Sequence, residues 1–406
     1  MTDTWVPLKH VAAINERALA DSTDPDYEFR YVDIGSVGRG KLLAEPSLMR
    51  FVDAPSRARR LVREGDTVVS TVRTYLRAVW PVKPPTEDLV VSTGFAVLSP
   101  KDLEPGYFAW WVQSDAFIEE VVARSVGVSY PAINALELGE LQVRVPSPVE
   151  QQAIASYLDC ETARIDNLMA KKLRMLELLE ERRWQVPRAE ICRSAPAQVP
   201  LRRALLSIVD GPFGSAFASA DYVDEGAVSV VRLGNIGFAE WRGQDVVRLP
   251  EERFAEFAKH RVEPGNLLFA GLGDASNHAG RACVAPDLGL AIVKGKCFCA
   301  QVDPELAVAD YLALFCSSPE GASAIGLEAR GSTRSMINLD IVKSVMVPLP
   351  DVPRQQEIVL AVRTAWERNK DVQDRLRSQL GLLDEHRQAL ITSAVTGKLA
   401  VSELAT

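Results

Sequence analysis

The stretch INALELGELQVRVPSPVEQQAI at residues 133–154 returns as INLDIVKSVMVPLPDVPRQQEI at residues 337–358. Ile133 matches Ile337, Asn134 matches Asn338, Pro146 matches Pro350, Gln151-Gln152 match Gln355-Gln356 and Ile154 matches Ile358, all at a spacing of 204 residues in a chain of 406. Tyr107 with Tyr311 and Gly127 with Gly331 keep the same spacing. Weaker echoes run towards each start: Val6-Pro7-Leu8-Lys9 with Val199-Pro200-Leu201-Arg202, Gly65 with Gly265, and Phe95 with Phe298. The spacing drifts from 193 to 204, which places small length changes in loops. An ordered series of matches at half the chain length marks an internal duplication.

Each half follows one plan. Short β-type runs come first, at 67–72, 89–91 and 95–98 in one half and at 228–233, 290–293 and 297–302 in the other. A polar, proline-containing turn then opens a long helix, from about Val149 to Trp184 and from about Pro353 to Thr396. On the first helix Leu158, Ile165, Leu168, Met175, Leu176 and Leu179 fall on one stripe. On the second, Val362, Asn369, Leu376, Leu383 and Leu390 recur every seven residues, the seam of a coiled coil. Lys172 and Asn369 are polar seam positions, which can fix register. Pro187 and the stretch 194–200 are expected to end the first helix and link the halves. The divisions expected are recognition domains at 1–148 and 201–352, helices at 149–186 and 353–398, a linker at 187–200 and a tail at 399–406. Paired antiparallel, helices of this length make a rod of about 50 Å, longer than the ~34–36 Å repeat of DNA.

Composition excludes several classes. Hydrophobic residues at 47% and charged residues at 25% are those of a folded globular chain rather than a disordered one. No apolar run reaches the roughly 18–20 residues of a membrane helix, and the start carries no signal-peptide pattern, so a cytoplasmic protein away from membranes is expected. The six cysteines form no C-x-x-C pair and the four histidines no H-x-x-x-H pair, so no metal site is expected. The net charge of −8 does not advertise nucleic acid, but local clusters, not totals, decide phosphate contact.

Several stretches imitate catalytic motifs. Asp210-Gly211-Pro212-Phe213 has the outline of an amino-methyltransferase signature, without the glycine-rich cofactor loop before it. Gly271-Leu272-Gly273 lacks the third glycine of a dinucleotide fingerprint. Pro286-Asp287 opens no nuclease site, since no acidic residue stands two before Lys294 or Lys296. Without a nucleophile, base and oxyanion set, the chain reads as a non-enzyme.

Cationic clusters point to DNA instead. Residues 57–63 hold four arginines, among them Arg57, Arg59 and Arg60, and Arg73 and Arg77 flank Tyr75. The second half offers Asn277, Arg281, Lys294 and Lys296. Arg330 and Arg334 bracket a small polar run that includes Thr333; its counterpart runs from Arg124 through Ser129 to Tyr130. Small residues allow close backbone approach, hydroxyls and amides bind phosphate, and arginine is bidentate to guanine.

The repeated I-N…V-P-x-P…E-Q-Q-x-I leading into a long helix, after a glycine- and hydroxyl-rich loop, resembles the specificity subunit of Type I restriction-modification systems. DGPFGSAF at 210–217 and the segment 221–237 are similar to the opening of that family's target-recognition domains; the first half lacks a clear D-G-P-x-G element. The resemblance implies an α+β fold: two mixed α/β target-recognition domains related by a pseudo-twofold, joined by two long antiparallel helices that form a coiled coil. It implies that each domain reads one half of a bipartite, asymmetric site in double-stranded DNA, as part of bacterial defence against phage. It implies that the helices set the spacer and dock two methyltransferase subunits, with restriction and translocase subunits as further partners. S-adenosylmethionine and ATP would then belong to those partners, and this chain would carry no cofactor. The rival readings are a protein-interaction scaffold and a DNA-modifying enzyme or detached recognition arm of a fused one.

Overall fold

The computed structural model describes residues 4–194, 197–212, 216, 221–274, 276–326 and 335–400. The chain divides into two compact units, one drawn from 1–174 together with 376–406, the other from 175–375.

The first unit holds two four-stranded sheets. One is antiparallel, in the order Ala12–Ile14, Phe95–Pro100, Thr67–Ser70, Val79–Pro81. The other runs Ser47–Arg50, Glu28–Val32, Leu89–Ser92, Ala58–Leu61, with Glu28–Val32 parallel to Leu89–Ser92. Thr67–Ser70 and Leu89–Ser92 are buried at every position, so they read as short continuous runs rather than alternating ones. Val32, Val68, Trp80, Val91, Phe95 and Val97 form one core of this unit. A larger core gathers Leu8, Tyr107, Phe108, Trp111 and Leu138 from the domain, Ile154, Ala155 and Leu158 from the first long helix, and Ile391, Ala394 and Val395 from the second. Each buried Leu, Ile, Val or Phe side chain here contributes about 1.5–3 kcal/mol.

The second unit repeats the plan. Leu205–Asp210, Cys297–Val302, Leu267–Ala270 and Ala282–Val284 form an antiparallel sheet. Val247–Leu249, Val228–Val231 and Leu290–Val293 form a second sheet, again with a parallel pair, Val228–Val231 on Leu290–Val293. Its main core takes Tyr311, Leu312 and Phe315 from the domain and Ile358, Val359 and Val362 from the second long helix. The long helices thus help build both cores, rather than beginning where a finished domain ends.

The repeated motif has a physical reading at each matched residue. Ile133 and Ile337 are buried, and the next residue caps a short helix: Asn134 accepts from the Glu137 N–H at 2.8 Å, Asn338 from the Ile341 N–H at 2.9 Å. Tyr107 donates its hydroxyl to the Arg144 carbonyl at 2.7 Å, and Tyr311 to the Pro348 carbonyl at 2.6 Å. The first glutamine of each pair is a clamp. Gln151 donates to the Pro146 carbonyl at 2.9 Å and accepts from the Glu104 N–H at 2.8 Å. Gln355 donates to the carbonyls of Pro350 and Leu306 at 2.7 and 3.0 Å and accepts from the Val308 N–H at 2.8 Å. Each ties the start of a long helix to the start of a domain helix. Gly65 and Gly265 share a left-handed φ of 86°, beside turns closed by Asp66 and Asn266.

The first long helix spans Pro148–Glu181 and the second Val352–Val395. In the first unit the Arg387 guanidinium donates to Asp166 at 3.0 Å and the Lys172 ammonium to Gln379 at 2.7 Å. In the second, Gln373 donates to Glu180 at 3.1 Å, the Trp366 indole to the Arg183 carbonyl at 2.9 Å, and Arg354 pairs with Glu190 at 2.9 Å. Within each unit the residue numbers rise on one helix as they fall on the other, which is antiparallel pairing.

Two expectations need correction. Leu168 and Met175 are 43% and 48% exposed. Leu158, Thr162, Ile165, Met169, Lys172, Leu176 and Leu179 form a less exposed row in alternating steps of four and three, with Glu161 and Leu178 half-buried beside it. Leu168 and Met175 each lie one residue off that row, because two steps of three in succession leave the stripe of a 3.6-residue helix. On the second helix Val362 and Leu376 are buried, and Asn369, Leu383 and Leu390 are half-buried. The helical path also continues past Pro187, through a single 3₁₀ turn at Arg182–Trp184 into a helix at Gln185–Ser194, with a strand at Gln198–Pro200 following. Pro187 has no N–H to give the Arg183 carbonyl four residues back, and the Trp366 indole donates to that carbonyl instead at 2.9 Å.

Candidate nucleic-acid interface

In the first unit a chain of backbone hydrogen bonds draws four loops into one rim. The Thr93 N–H donates to the Arg57 carbonyl at 2.7 Å, and the Thr71 N–H to the Gly94 carbonyl at 2.9 Å. The Ile133 N–H donates to the Thr71 carbonyl at 2.9 Å, and the Arg73 N–H to the Pro131 carbonyl at 2.8 Å. Arg57, Arg73, Tyr75, Ser129 and Tyr130 stand exposed on these loops. The Arg73 guanidinium lies 4.7 Å from the centre of the Tyr130 ring, so the two loops singled out in sequence meet through side chains as well as backbone.

The other arginines of these stretches are paired, stacked or half-buried. Arg77 pairs with Asp115 at 2.5 Å, and Arg39, which sequence reasoning passed over, pairs with the same carboxylate. Arg59 lies over the Phe51 ring at 4.6 Å. Arg60 is half-buried on the strand Ala58–Leu61 with its Nε unpartnered, and desolvation lowers its pKa. The 57–63 cluster therefore offers Arg57 on its exposed side, with Arg63 exposed but paired with Asp66 at 3.6 Å, rather than a row of four free cations.

In the second unit the matched bonds recur. The Gly271 N–H donates to the Lys296 carbonyl at 2.7 Å, the Ile337 N–H to the Gly271 carbonyl at 3.0 Å, and the Gly273 N–H to the Ser335 carbonyl at 2.9 Å. Lys294 and Lys296 occupy the turn between Leu290–Val293 and Cys297–Val302. Lys296 is exposed; Lys294 donates to the Tyr222 hydroxyl at 2.5 Å. Two clefts meet at Lys294-Gly295. One, of about 580 Å³, is lined by Arg232, Gly234, Asn235, Arg242 and Gln244; the other, of about 430 Å³, by Gly211, Lys296, Ile337 and Asn338. A Cβ on Gly211 would stand 2.2 Å from the Lys294 carbonyl, so the D-G-P element needs its glycine for close packing under the lysine turn. Arg232 and Arg242 had a sequence signal in the segment 221–237 and its continuation, but nothing there marks them as cleft residues.

Asn277 accepts from Arg242 at 3.4 Å and donates to Asp274 at 3.1 Å, which holds it at the edge of this surface. Arg281 is a correction. It is 4% exposed and donates to the carbonyls of Ile236, Leu272, His278 and Leu233, at 2.8, 3.2, 3.1 and 2.9 Å. Burial lowers its pKa. It braces two loops from below and presents no donor to a ligand. Arg330, Thr333 and Arg334 lie outside the described residues.

The catalytic imitations resolve into structure. Asp210 ends a strand, Gly271 and Gly273 carry the rim bonds above, and Asp287 caps a turn by accepting from the Gly289 N–H at 3.0 Å. Among the described residues no group of His, Cys, Asp and Glu is placed to hold a metal, and no helix is long and apolar enough to cross a membrane.

Two rims of matched backbone, each in a unit whose long helices pair antiparallel, define a class: a duplicated α/β chain. No family model matches the sequence. Among curated proteins it is similar to the Type I restriction enzyme EcoKI specificity subunit of Escherichia coli strain K12, at 22% identity over 75% of this chain and 68% of that one. It is also similar to the StySPI specificity subunit of Salmonella potsdam, at 20% identity over 74% of this chain and 66% of that one. Among solved structures it matches a chain from work on complex assembly and conformational transition of the type I R-M system, with a TM-score of 0.73 at 20% identity over 98% of both chains. The HsdS subunit of Thermoanaerobacter tengcongensis matches with a TM-score of 0.53 at 19% identity over 98% of this chain and 97% of that one. In sequence and in fold the chain is thus similar to Type I restriction-modification specificity subunits.

Proposed function

We propose that this chain is the DNA sequence-recognition subunit of a Type I restriction-modification complex, each unit reading one half of a bipartite, asymmetric double-stranded site. The observation that carries the reading is the matched rim: the same backbone bonds at Thr71, Arg73 and Ile133 and at Gly271, Gly273 and Ile337 hold loops whose exposed side chains differ. One scaffold with two different faces suits a ligand with two different halves.

The long helices form an antiparallel coiled coil about a pseudo-twofold, and their length sets the spacer between half-sites. The alternating four- and three-residue steps of less exposed positions on the first helix support this. Two methyltransferase subunits dock on this frame and bring S-adenosylmethionine; restriction and translocase subunits bring ATP. This chain catalyses nothing itself and, with chromosomal and invading DNA as ligands, works in the bacterial cytoplasm. Long-read sequencing that detects methylated adenine, in cells expressing the chain with its methyltransferase, tests the proposal. A two-part motif with a fixed gap, dependent on this chain, is the expected result. Methylation without a motif, or a motif unchanged when the chain is replaced, overturns it.

A further inference from the structure

The loops that meet in the first unit have an unusual chemistry for a DNA-facing rim. Arg73 and Arg77 both take left-handed backbone, at φ 51° and 55°, on either side of Tyr75 and Leu76. Such conformations cost about 1–3 kcal/mol for a non-glycine residue and persist only where the surroundings enforce them. Here they are enforced by the Arg73 N–H on Pro131, by the hydroxyls of Thr74 and Ser125 in contact at 2.7 Å, and by the Arg77–Asp115 pair. The rigid tip so made displays Tyr75 at 52% exposure and Leu76 at 53%, and the adjoining loop displays Val126 and Tyr130 at 81% and 65% and a fully exposed Val128. The neighbouring cations are occupied: Arg73 stacks on Tyr130, and Asp115 takes both Arg39 and Arg77.

The second unit is built differently at the same place. The Gly273 bond to Ser335 repeats the Arg73 bond to Pro131, but the turn that follows is polar. Asp274 there accepts from the N–H groups of Ser276 and Asn277 at 2.8 and 2.9 Å. The first unit's tip is apolar and aromatic, whereas the described residues of the second unit's turn are hydrogen-bonding. On the base edges of a duplex the distinctive apolar group is the C5-methyl of thymine, which lies in the major groove.

We propose that the loops at 73–77 and 125–130 read thymine, their apolar tips seated on C5-methyl groups in the half-site taken by the first unit. This deepens the recognition function above and rests on it. The test uses the complex assembled with its methyltransferase subunits and a duplex carrying the mapped site, with deoxyuridine replacing thymidine in one half-site at a time. Loss of each contacted methyl in the first half-site should weaken binding about fourfold, from ~0.8 kcal/mol per methylene-sized apolar group. The penalty should disappear in Leu76→Ser and Val128→Ser, exposed changes that leave the cores intact, while recognition of the second half-site stays unchanged. Two results on the DNA overturn the proposal: equal binding of thymine and uracil, or a uracil penalty that survives both substitutions. Variants that lose methyltransferase assembly rather than DNA affinity would make the tip a protein contact and also overturn it. A complex with no sequence-dependent DNA binding at all would instead refute the recognition function itself.

Discussion

Gln355→Ala and Gln356→Ala remove the same side chain one position apart, and the structure separates their consequences. Gln355 is fully buried and makes three hydrogen bonds, to the carbonyls of Pro350 and Leu306 and from the Val308 N–H. At about 1 kcal/mol net for each bond, truncation costs roughly 3 kcal/mol, before any cavity left behind. Gln356 is exposed, and its truncation should stay within about 0.5 kcal/mol. For a unit of this size 1 kcal/mol moves the midpoint by about 2–4 °C, so Gln355→Ala should lower the second unit's transition by roughly 6–12 °C. Scanning calorimetry of the full-length chain reads this directly. Equal shifts for the two variants, or a shift below about 2 °C for Gln355→Ala, would refute the clamp and with it the account of why the paired glutamines repeat.

Burial pushes the thiols of Cys283, Cys297, Cys299 and Cys316 up to about 12, so at pH 8 only about one part in ten thousand is thiolate. Iodoacetamide at that pH should label the exposed Cys160 and spare these four until denaturant is added, as followed by peptide mass spectrometry; native labelling of any of them at the Cys160 rate contradicts the packing. Lys296→Ala should flatten the dependence of log affinity on log salt by about 0.9, the value of one phosphate contact, and an unchanged slope removes Lys296 from the interface. Arg281→Met should lower thermal stability by several degrees, because four carbonyls lose their donor. Were its main effect instead on DNA affinity with stability intact, the brace would be wrong. Leu383→Asp places a charge on the half-buried row of the second helix and should broaden the gap tolerated between half-sites in a randomised-spacer selection; an unaltered gap refutes the role of the helices in setting it.

The elements that could be read from sequence were those that repeat. Ile133, Asn134, Tyr107 and Gln151 each have a counterpart because each makes a bond or a burial that both copies need. Side-chain roles within the copies were harder. Arg281 looked like a free cation because a sequence does not show four carbonyls converging from separate loops. Arg39 was missed because its partner, Asp115, lies on another element seventy-six residues away. Leu168 and Met175 were placed on the helix stripe because leucine and methionine suit it equally well. Which neighbour turns inward depends on the phase of the partner helix. The convergence of Arg73 with Tyr130 was foreseeable only as two candidate loops, not as one rim.

The burial of Ile391, Ala394 and Val395 beside Leu158 and Trp111 has a consequence for biosynthesis. More than two hundred residues separate Arg174 from Ile391, and at roughly 5–20 residues per second their translation takes about 10–40 s. Throughout that interval the earlier part of the first unit emerges from the ribosome without the segment that seals its apolar face. The second unit, contiguous from 175 to 375, is complete before then. The half that is made first is therefore the half that matures last.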